Sequence, residues 1–328
     1  MSEILEMLEV IRRLLNAEDV LLLCHKNPDG DTIGSAAALY HALKQLGKNV
    51  ALLCADPIPS HYNYMGFEQF SGQFTPGYVV AIDVASIQLF GDALEPYCSQ
   101  VDLCIDHHGS NSGYADAMYL DATAAATTEI MYEMLSKMEV EITPVIADCL
   151  YTGLATDTGC FLYANTTART HRTAAALMEA GARVEDLNAD LFENKTRERM
   201  AIERTALENL EYHFDGRCAL MYLTREEIAA SGVQMADLED LTGLPRKIEG
   251  VQVGVTIRQL PGASYKISIR TVKGVNACAI AQHLGGGGHD RAAGCELEGT
   301  LENAKAAVLA EIEKELSKMD AAQTEETR

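Results

Sequence analysis

Four short stretches of this chain end in acids and histidines, and their spacing raises the question of what chemistry they could share. VLLLCHKNPDGD carries an aliphatic run into His25, Asp29 and Asp31, and a helical pattern follows. VVAIDVAS ends its run at Asp83, and VDLCIDHHGSN ends at Asp106, His107 and His108. CLYTGLATDTGCF places Asp157 just after a helical pattern. Singly, each has an ordinary structural explanation: Asp31 can cap a helix, Asp83 can open a turn, and a strand-end histidine can be satisfied in a core. As a set they are harder to explain that way. Strand ends of a parallel sheet converge on one edge, so several carboxylates would repel there, with Lys26 the one cation beside them. Divalent ions relieve such a cluster. Mixed oxygen and imidazole donors suit manganese, iron or zinc better than calcium. Thiolate zinc sites are not indicated, because the cysteines lack ligand spacing. Two metals fit the number of donors, and a pair needs a carboxylate between them. Asp83, alone on its strand, is the candidate. Such a pair activates a water and polarises phosphate oxygens.

The elements that must position these residues are legible from pattern. Residues 20–24, 49–54, 79–82 and 101–105 are short aliphatic runs, and helical patterns lie at 33–46 and 123–138. This alternation predicts an α/β fold with a largely parallel sheet and helices on both faces, where ligands gather at the carboxyl ends of strands. From 168 to 212 the pattern is helical and charged, and 191–212 is expected to be a helical linker after a first domain of 1–190. Strand signals return at 218–223, and at 251–259 and 264–271 around LPGAS, which reads as a hairpin turn. A smaller α/β domain is expected over 213–318, with a last helix at about 300–317 and a disordered tail at 319–328.

Length and composition bound the rest. A chain of 328 residues exceeds one small core and fits two domains. Hydrophobic residues make up 48% and no apolar run approaches a membrane span. The opening MSEILEMLEVIRRLL is an acidic amphipathic helix pattern, not a signal peptide. Nine cysteines without CxxC pairs, several inside aliphatic runs, indicate reduced, mostly buried thiols and a cytoplasmic location. A net charge of −22 argues against binding long duplex nucleic acid but allows a small phosphate ligand in one basic pocket. The oligomeric state is open, a homodimer included.

Such a pocket has a candidate. Between 244 and 291, Arg246, Lys247, Arg258, Lys266, Arg270, Lys273 and Arg291 are opposed only by Glu249 and Asp290. The patch includes AQHLGGGGHDRAAG, whose four glycines could expose backbone N–H groups to an anion, though the lysine of a Walker loop is missing. A flexible glycine loop and a solvated strand face are the ordinary alternatives.

Together HKNPDGD, AID, IDHH and ATDTG resemble, in order, the four motifs of the DHH phosphoesterase family over about the first 190 residues. The resemblance implies His25, Asp29 and Asp83 on one ion, usually manganese, and Asp31, Asp83, His107 and Asp157 on a second. It implies that His108 faces the scissile phosphate as a hydrogen-bond donor or proton source, and that Asp106 orients a histidine. GGGGH and AAG after ISIRT resemble the DHH-associated substrate-binding domain. That pairing resembles the bifunctional oligoribonucleases and pAp phosphatases. It implies that Arg270, Gly286, Gly287, Gly288 and His289, with Arg258 and Asn276 as weaker candidates, hold short single-stranded RNA or a small nucleotide. Phosphodiesterases acting on cyclic di-AMP or pApA are very similar in pattern. A nucleotide-sensing protein with vestigial turnover is the alternative of another class, and the intact donor set argues against it.

Overall fold

The computed structural model of the chain describes residues 2–326 apart from 234–237 and 239, and at 92, 240, 289 and 322–326 the backbone alone. The chain divides into two compact units, Met1–Asn194 and Lys195–Arg328.

In the first unit the elements are β1 (Glu3–Ile4), α1 (Met7–Asn16), β2 (Val20–Cys24), α2 (Gly30–Gln45), β3 (Val50–Cys54), β4 (Tyr78–Ile82), α3 (Glu95–Cys98), β5 (Leu103–Asp106), β6 (Ala117–Leu120), α4 (Thr127–Lys137), α5 (Pro144–Asp157), α6 (Ala168–Glu179) and α7 (Val184–Asn188). The strands form one sheet in the order β1-β6-β5-β4-β2-β3, with every pairing parallel. A parallel strand covered on both faces must be apolar throughout, and all of VLLLC in β2 is buried. Alternate residues split between two cores. Val20, Leu22, Val80 and Ile82 meet Leu14, Ile33, Ile130 and Leu150 of the long helices. Leu21, Leu23, Val79 and Ala81 meet Phe90 and Leu94 on the other face. That second face is closed by short turns at 87–89 and 92–94 and by α3, so the helical layers are unequal.

The strand order decides where a site can form. From β2 the chain passes to β3 on one side, and from β4 it passes to β5 on the other. A crevice therefore opens between the carboxyl ends of β2 and β4. His25 follows β2 and Asp83 follows β4 directly.

The second unit contains α8 (Arg197–Glu208), β7 (Glu211–His213), β8 (Cys218–Leu223), α9 (Arg225–Ser231), β9 (Val253–Gln259), β10 (Ser264–Thr271), α10 (Ala277–His283), β11 (Gly287–His289), β12 (Ala292–Glu298) and α11 (Leu301–Glu326). Its sheet runs β11-β12-β10-β9-β8-β7, antiparallel except for β8 beside β9. Val255, Ile257, Ile267 and Ile269 pack under Ile280, Val308 and Ile312 of α10 and α11.

Two sequence expectations are corrected here. The segment 191–212 is not a separate linker helix. In α8, Ile202 and Ala206, one helical turn apart, pack on Met221 and Leu223 of the second sheet, and Glu211–His213 joins that sheet as an edge strand. The last helix does not stop near 317 before a disordered tail. It continues to Glu326, through alanine, glutamine and glutamate with no glycine or proline to end it.

Candidate active site

The first crevice gathers seven of the eight residues that the sequence singles out in the first unit. His25 lies with its Nε2 3.5 Å from Asp29 Oδ1 and 3.8 Å from Asp83 Oδ2. His107 Nε2 lies 3.3 Å from Asp157 Oδ2, 3.9 Å from Asp31 Oδ2 and 3.7 Å from Asp83 Oδ1. Asp83 thus turns one oxygen to each histidine. Among the described residues, His25–Asp29–Asp83 and Asp31–His107–Asp157 each bring donor atoms within 4.8 Å of one another.

Tautomers suit this arrangement. The ring Nδ1 of His25 is 2.8 Å from the Lys26 carbonyl, and that of His107 is 3.2 Å from the Ala124 carbonyl. A carbonyl only accepts, so each Nδ1 carries a proton and Nε2 is the nitrogen turned to the acids, where it holds a second proton that a bound cation would replace. This is the ring orientation that backbone partners impose on metal-ligating histidines.

Local structure aims the acids. Asp29 caps α2, accepting from the backbone N–H groups of Asp31 and Thr32 at 3.1 and 3.2 Å, which starts the helix at Gly30 rather than 33. Asp31, one turn in, caps a different helix. Its oxygens accept from Thr127 N at 2.6 Å and Thr128 N at 2.8 Å, the open N–H groups of α4. Asp83 holds a left-handed backbone, φ 60°, a conformation that aspartate tolerates better than most residues and that recurs at functional sites. Thr127 Oγ1 donates to its Oδ1 at 2.8 Å. Thr127 and Thr128 were not anticipated from sequence; the paired threonines opening TTEIMYEM were the available signal.

Burial leaves these acids short of positive charge. Burial first, then the Asp83 carboxylate, pushes Asp31 up to about 7. Burial and Asp29 push Asp83 up to about 6, and burial and Asp31 push Asp157 up to about 7. Buried oxygens whose carboxyls are pushed toward the protonated form, beside two imidazole Nε2 atoms, fit a divalent-metal site.

His108 also brings a donor atom within 4.8 Å of Asp83 and His107, but its Nδ1 is held by another partner. Its Nδ1 donates to Asp106 Oδ1 at 2.7 Å, so that nitrogen is engaged although it lies 3.5 Å from Asp83 Oδ1. The hydrogen bond to Asp106 raises His108 to about 9 against the effect of burial. Asp106 is fully buried. It also accepts from the N–H groups of His107 and His108 and from Asn111 Nδ2 at 2.6 Å. Asn111, five residues past Asp106, was a second positioning residue that the sequence reading did not assign.

In the second unit, strand register sorts the expected substrate residues. Arg270 pairs with Gly254 and Ala292, Arg258 with Lys266, Gly287 with Gly294 and His289 with Ala292. Those positions share the face of the sheet opposite Ile267 and Ile269, hence opposite α10 and α11; α8 covers the β8 end of the same face through Met221 and Leu223, and Arg258, in register with Leu223, is buried there. The side chain of His289 lies outside the described residues. Part of the glycine run is engaged in backbone pairing, with β11 at the edge of its sheet. Gly286 donates to the Ala281 carbonyl at 2.8 Å, and residues 287–289 pair with β12. A Cβ on Gly286 would sit 2.1 Å from the Gly294 carbonyl oxygen, and one on Gly288 would sit 2.6 Å from that of Ala292. These two glycines serve close packing, while Gly287 faces open space. Asn276 caps α10, accepting from Ala279 N at 2.9 Å, and its Nδ2 lies 3.3 Å from Asp290.

Comparison with known proteins places both units. Residues 19–154 match the DHH family N-terminal domain and 218–318 match the DHHA1 domain. The bifunctional oligoribonuclease and PAP phosphatase NrnA of Thermus thermophilus is 34% identical over 95% of both chains. The Bacillus subtilis protein of the same description is 24% identical over 88% of this chain and 92% of its own. Among solved structures, an exopolyphosphatase-related protein from Bacteroides fragilis shares the fold, with TM-score 0.88 and 23% identity over 96% and 97% of the two chains.

Proposed function

We propose, because this chain belongs to the DHH phosphoesterase family and carries a DHHA1 domain, that it hydrolyses short RNA and removes the 3′-phosphate of pAp. The observation that carries the reading is the crevice between β2 and β4. There two histidines present Nε2 to four convergent carboxylates, with Asp83 facing both. His25, Asp29 and Asp83 would hold one divalent ion, and Asp31, Asp83, His107 and Asp157 a second. Manganese is our choice, since the oxygen and imidazole donors suit it. Bound there, divalent ions supply positive charge to phosphate oxygens and lower the pKa of water.

The protein's own groups do the rest. His108, raised to about 9, is protonated at neutral pH. It stands beside the donor set as a hydrogen-bond donor to charge developing on the phosphate, and as the proton source for the leaving oxygen. Asp106 keeps it charged and fixes its ring, and Asn111 fixes Asp106 in turn. In the DHHA1 domain, Arg270 with Gly287 and His289 would grip the nucleotide, and Arg258 from the same sheet face would assist. Gly286 and Gly288 would act by shaping that edge. Asn276 would act through Asp290. We place the reaction in the cytoplasm, to which nine free cysteines are suited.

The test is a substrate panel with purified protein and manganese: pAp, pApA, cyclic di-AMP, and RNAs from two to about two dozen nucleotides. We expect pAp and the shortest RNAs to be hydrolysed fastest and the rate to fall steeply with length. Equal rates at both ends of the series, or turnover of cyclic di-AMP alone, would overturn the assignment.

A further inference from the structure

Immediately after Asp157 the backbone takes an unusual course. Gly159, Cys160 and Phe161 follow one another with φ of 56°, 55° and 65°. Single left-handed residues are common, but three in a row, two of them with side chains, are costly. The turn is over-determined by its surroundings. Thr158, fully buried, accepts from Phe161 N through Oγ1 at 3.1 Å. Its carbonyl accepts from the N–H groups of Leu162 and Tyr163 at 3.0 and 2.9 Å. The Phe161 ring stacks on His171, centroids 5.3 Å apart. Asn165 Nδ2 closes the loop on the carbonyls of Asp157, at 3.1 Å, and Ala125, at 3.0 Å.

What this strain presents to solvent is apolar. Leu162 is 83% exposed and Tyr163 60% exposed. Folding gains nothing from an exposed leucine and an exposed tyrosine held on a strained turn. Nor is Tyr163 loose. Its ring lies so close over Gly159 that a Cβ there would come within 2.4 Å of it. The ring thus packs on Gly159, two residues past Asp157, a proposed metal ligand. An exposed aromatic face on the turn that directly follows a proposed metal ligand matches one chemistry in particular, the flat face of a nucleobase attached to the phosphate being cleaved.

We propose that the 159–163 turn is a base platform: Tyr163 stacks on a nucleobase of the bound nucleotide and Leu162 packs along its edge. This rests on the reading of the chain as an oligoribonuclease and pAp phosphatase, and extends it to a part of the first unit outside the proposed metal ligands. It assigns the strain a purpose, since only a rigid ring offers its face without losing side-chain freedom on binding.

The experiment compares an RNA dinucleotide with the same dinucleotide lacking one base, for wild type, Tyr163→Ala, Tyr163→Phe and Leu162→Ala, all with manganese. The readout is the ratio of kcat/KM for the two substrates, with bound metal and particle mass measured in parallel. Stacking on one aromatic predicts a wild-type ratio of roughly five- to hundredfold. That ratio should collapse towards one in Tyr163→Ala, survive in Tyr163→Phe and fall partway in Leu162→Ala, with metal content retained. A ratio that Tyr163→Ala leaves as it was overturns the platform. So does a Tyr163→Ala particle of altered mass with an unaltered ratio, which would make the turn a contact between copies. If wild type cleaves neither substrate, the proposed function fails and this inference fails with it. If wild type cleaves both at equal rates, the platform fails alone.

Discussion

Asp83 does several things at once. It ends a buried strand, adopts a left-handed backbone, accepts from Thr127 and faces both histidines. If Asp83 is shared by two ions, as proposed, its removal should weaken both. Asp83→Ala is expected to lower kcat/KM by several orders of magnitude and to lose bound manganese, measured by elemental analysis. Near-normal turnover with two ions bound would refute the shared role. The acids also set a pH dependence. Asp31, Asp83 and Asp157 titrate above the ordinary carboxylate value. His25 is raised to about 9, because although burial is the largest single effect and lowers it, the hydrogen bond and charge of Asp29, the Lys26 carbonyl and the Asp83 charge together outweigh it, and the Asp106 hydrogen bond raises His108 to about 9. A group with a raised folded pKa stabilises below its unfolded pKa and loses that contribution as pH rises through the folded one. The metal-free protein should therefore lose thermal stability as pH rises from about 4 through 7 for the acids, and from about 6.5 to 9 for the histidines. Manganese supplies the missing charge, so its effect on Tm should grow from pH 5 to pH 8. Melting curves with chelator and with manganese test this. A manganese effect independent of pH, or no flatter in Asp157→Asn, would contradict it.

At the scale of elements, the donor set depends on how closely α2 and α5 cross. Asp31 rides on the first turn of α2 and Asp157 ends α5. Their approach is permitted by missing side chains. A Cβ on Gly34 would lie 2.3 Å from the backbone oxygen of Cys149, and one on Gly153 would lie 2.9 Å from Asp31 Cα. Backbone cannot swing aside as a flexible side chain can, so Gly34→Ala must part the helices. Overpacking of this kind costs about 1–3 kcal/mol. We expect a lower Tm together with weaker manganese binding, seen by calorimetric titration. Lowered stability with unaltered metal affinity would show that the crossing holds the fold but not the site.

For the whole molecule, the proposed chemistry and the proposed grip fall to different units. The donor set lies entirely within Met1–Asn194, and Arg270, Gly287 and His289 within Lys195–Arg328. A guanidinium contact to phosphate is a charge-assisted bond of about 1.5–3 kcal/mol. Arg270→Ala should raise KM for pAp roughly ten- to hundredfold, leave metal content intact and affect a small artificial phosphodiester much less. His107→Ala should abolish both activities. Paired steady-state kinetics decide it: equal damage to both substrates by Arg270→Ala would end the proposed division of labour.

The sequence alone determined which residues would meet. Aliphatic runs ending in acids and histidines mark His25, Asp83, His107 and His108 as strand-end residues at a polar edge, while Asp29, Asp31 and Asp157, on and beside helices, joined them through the resemblance of the four motifs to the DHH family. The hairpin at 260–263 and β10 at Ser264–Thr271 were legible for the same local reason. The tertiary structure decided what depends on partners distant in sequence. Asp31 caps α4, about a hundred residues on, and not its own helix. Thr127 and Asn111 aim the acids. Gly286 and Gly288 lie too close to β12 to carry a side chain. The helix at 197–208 belongs to the second unit because its apolar stripe finds a sheet there. Periodicity and turn residues act within a few positions of themselves and can be read in order along the chain. A hydrogen bond or close crossing between segments far apart in sequence leaves no local pattern, because either partner alone looks like an ordinary threonine, asparagine or glycine.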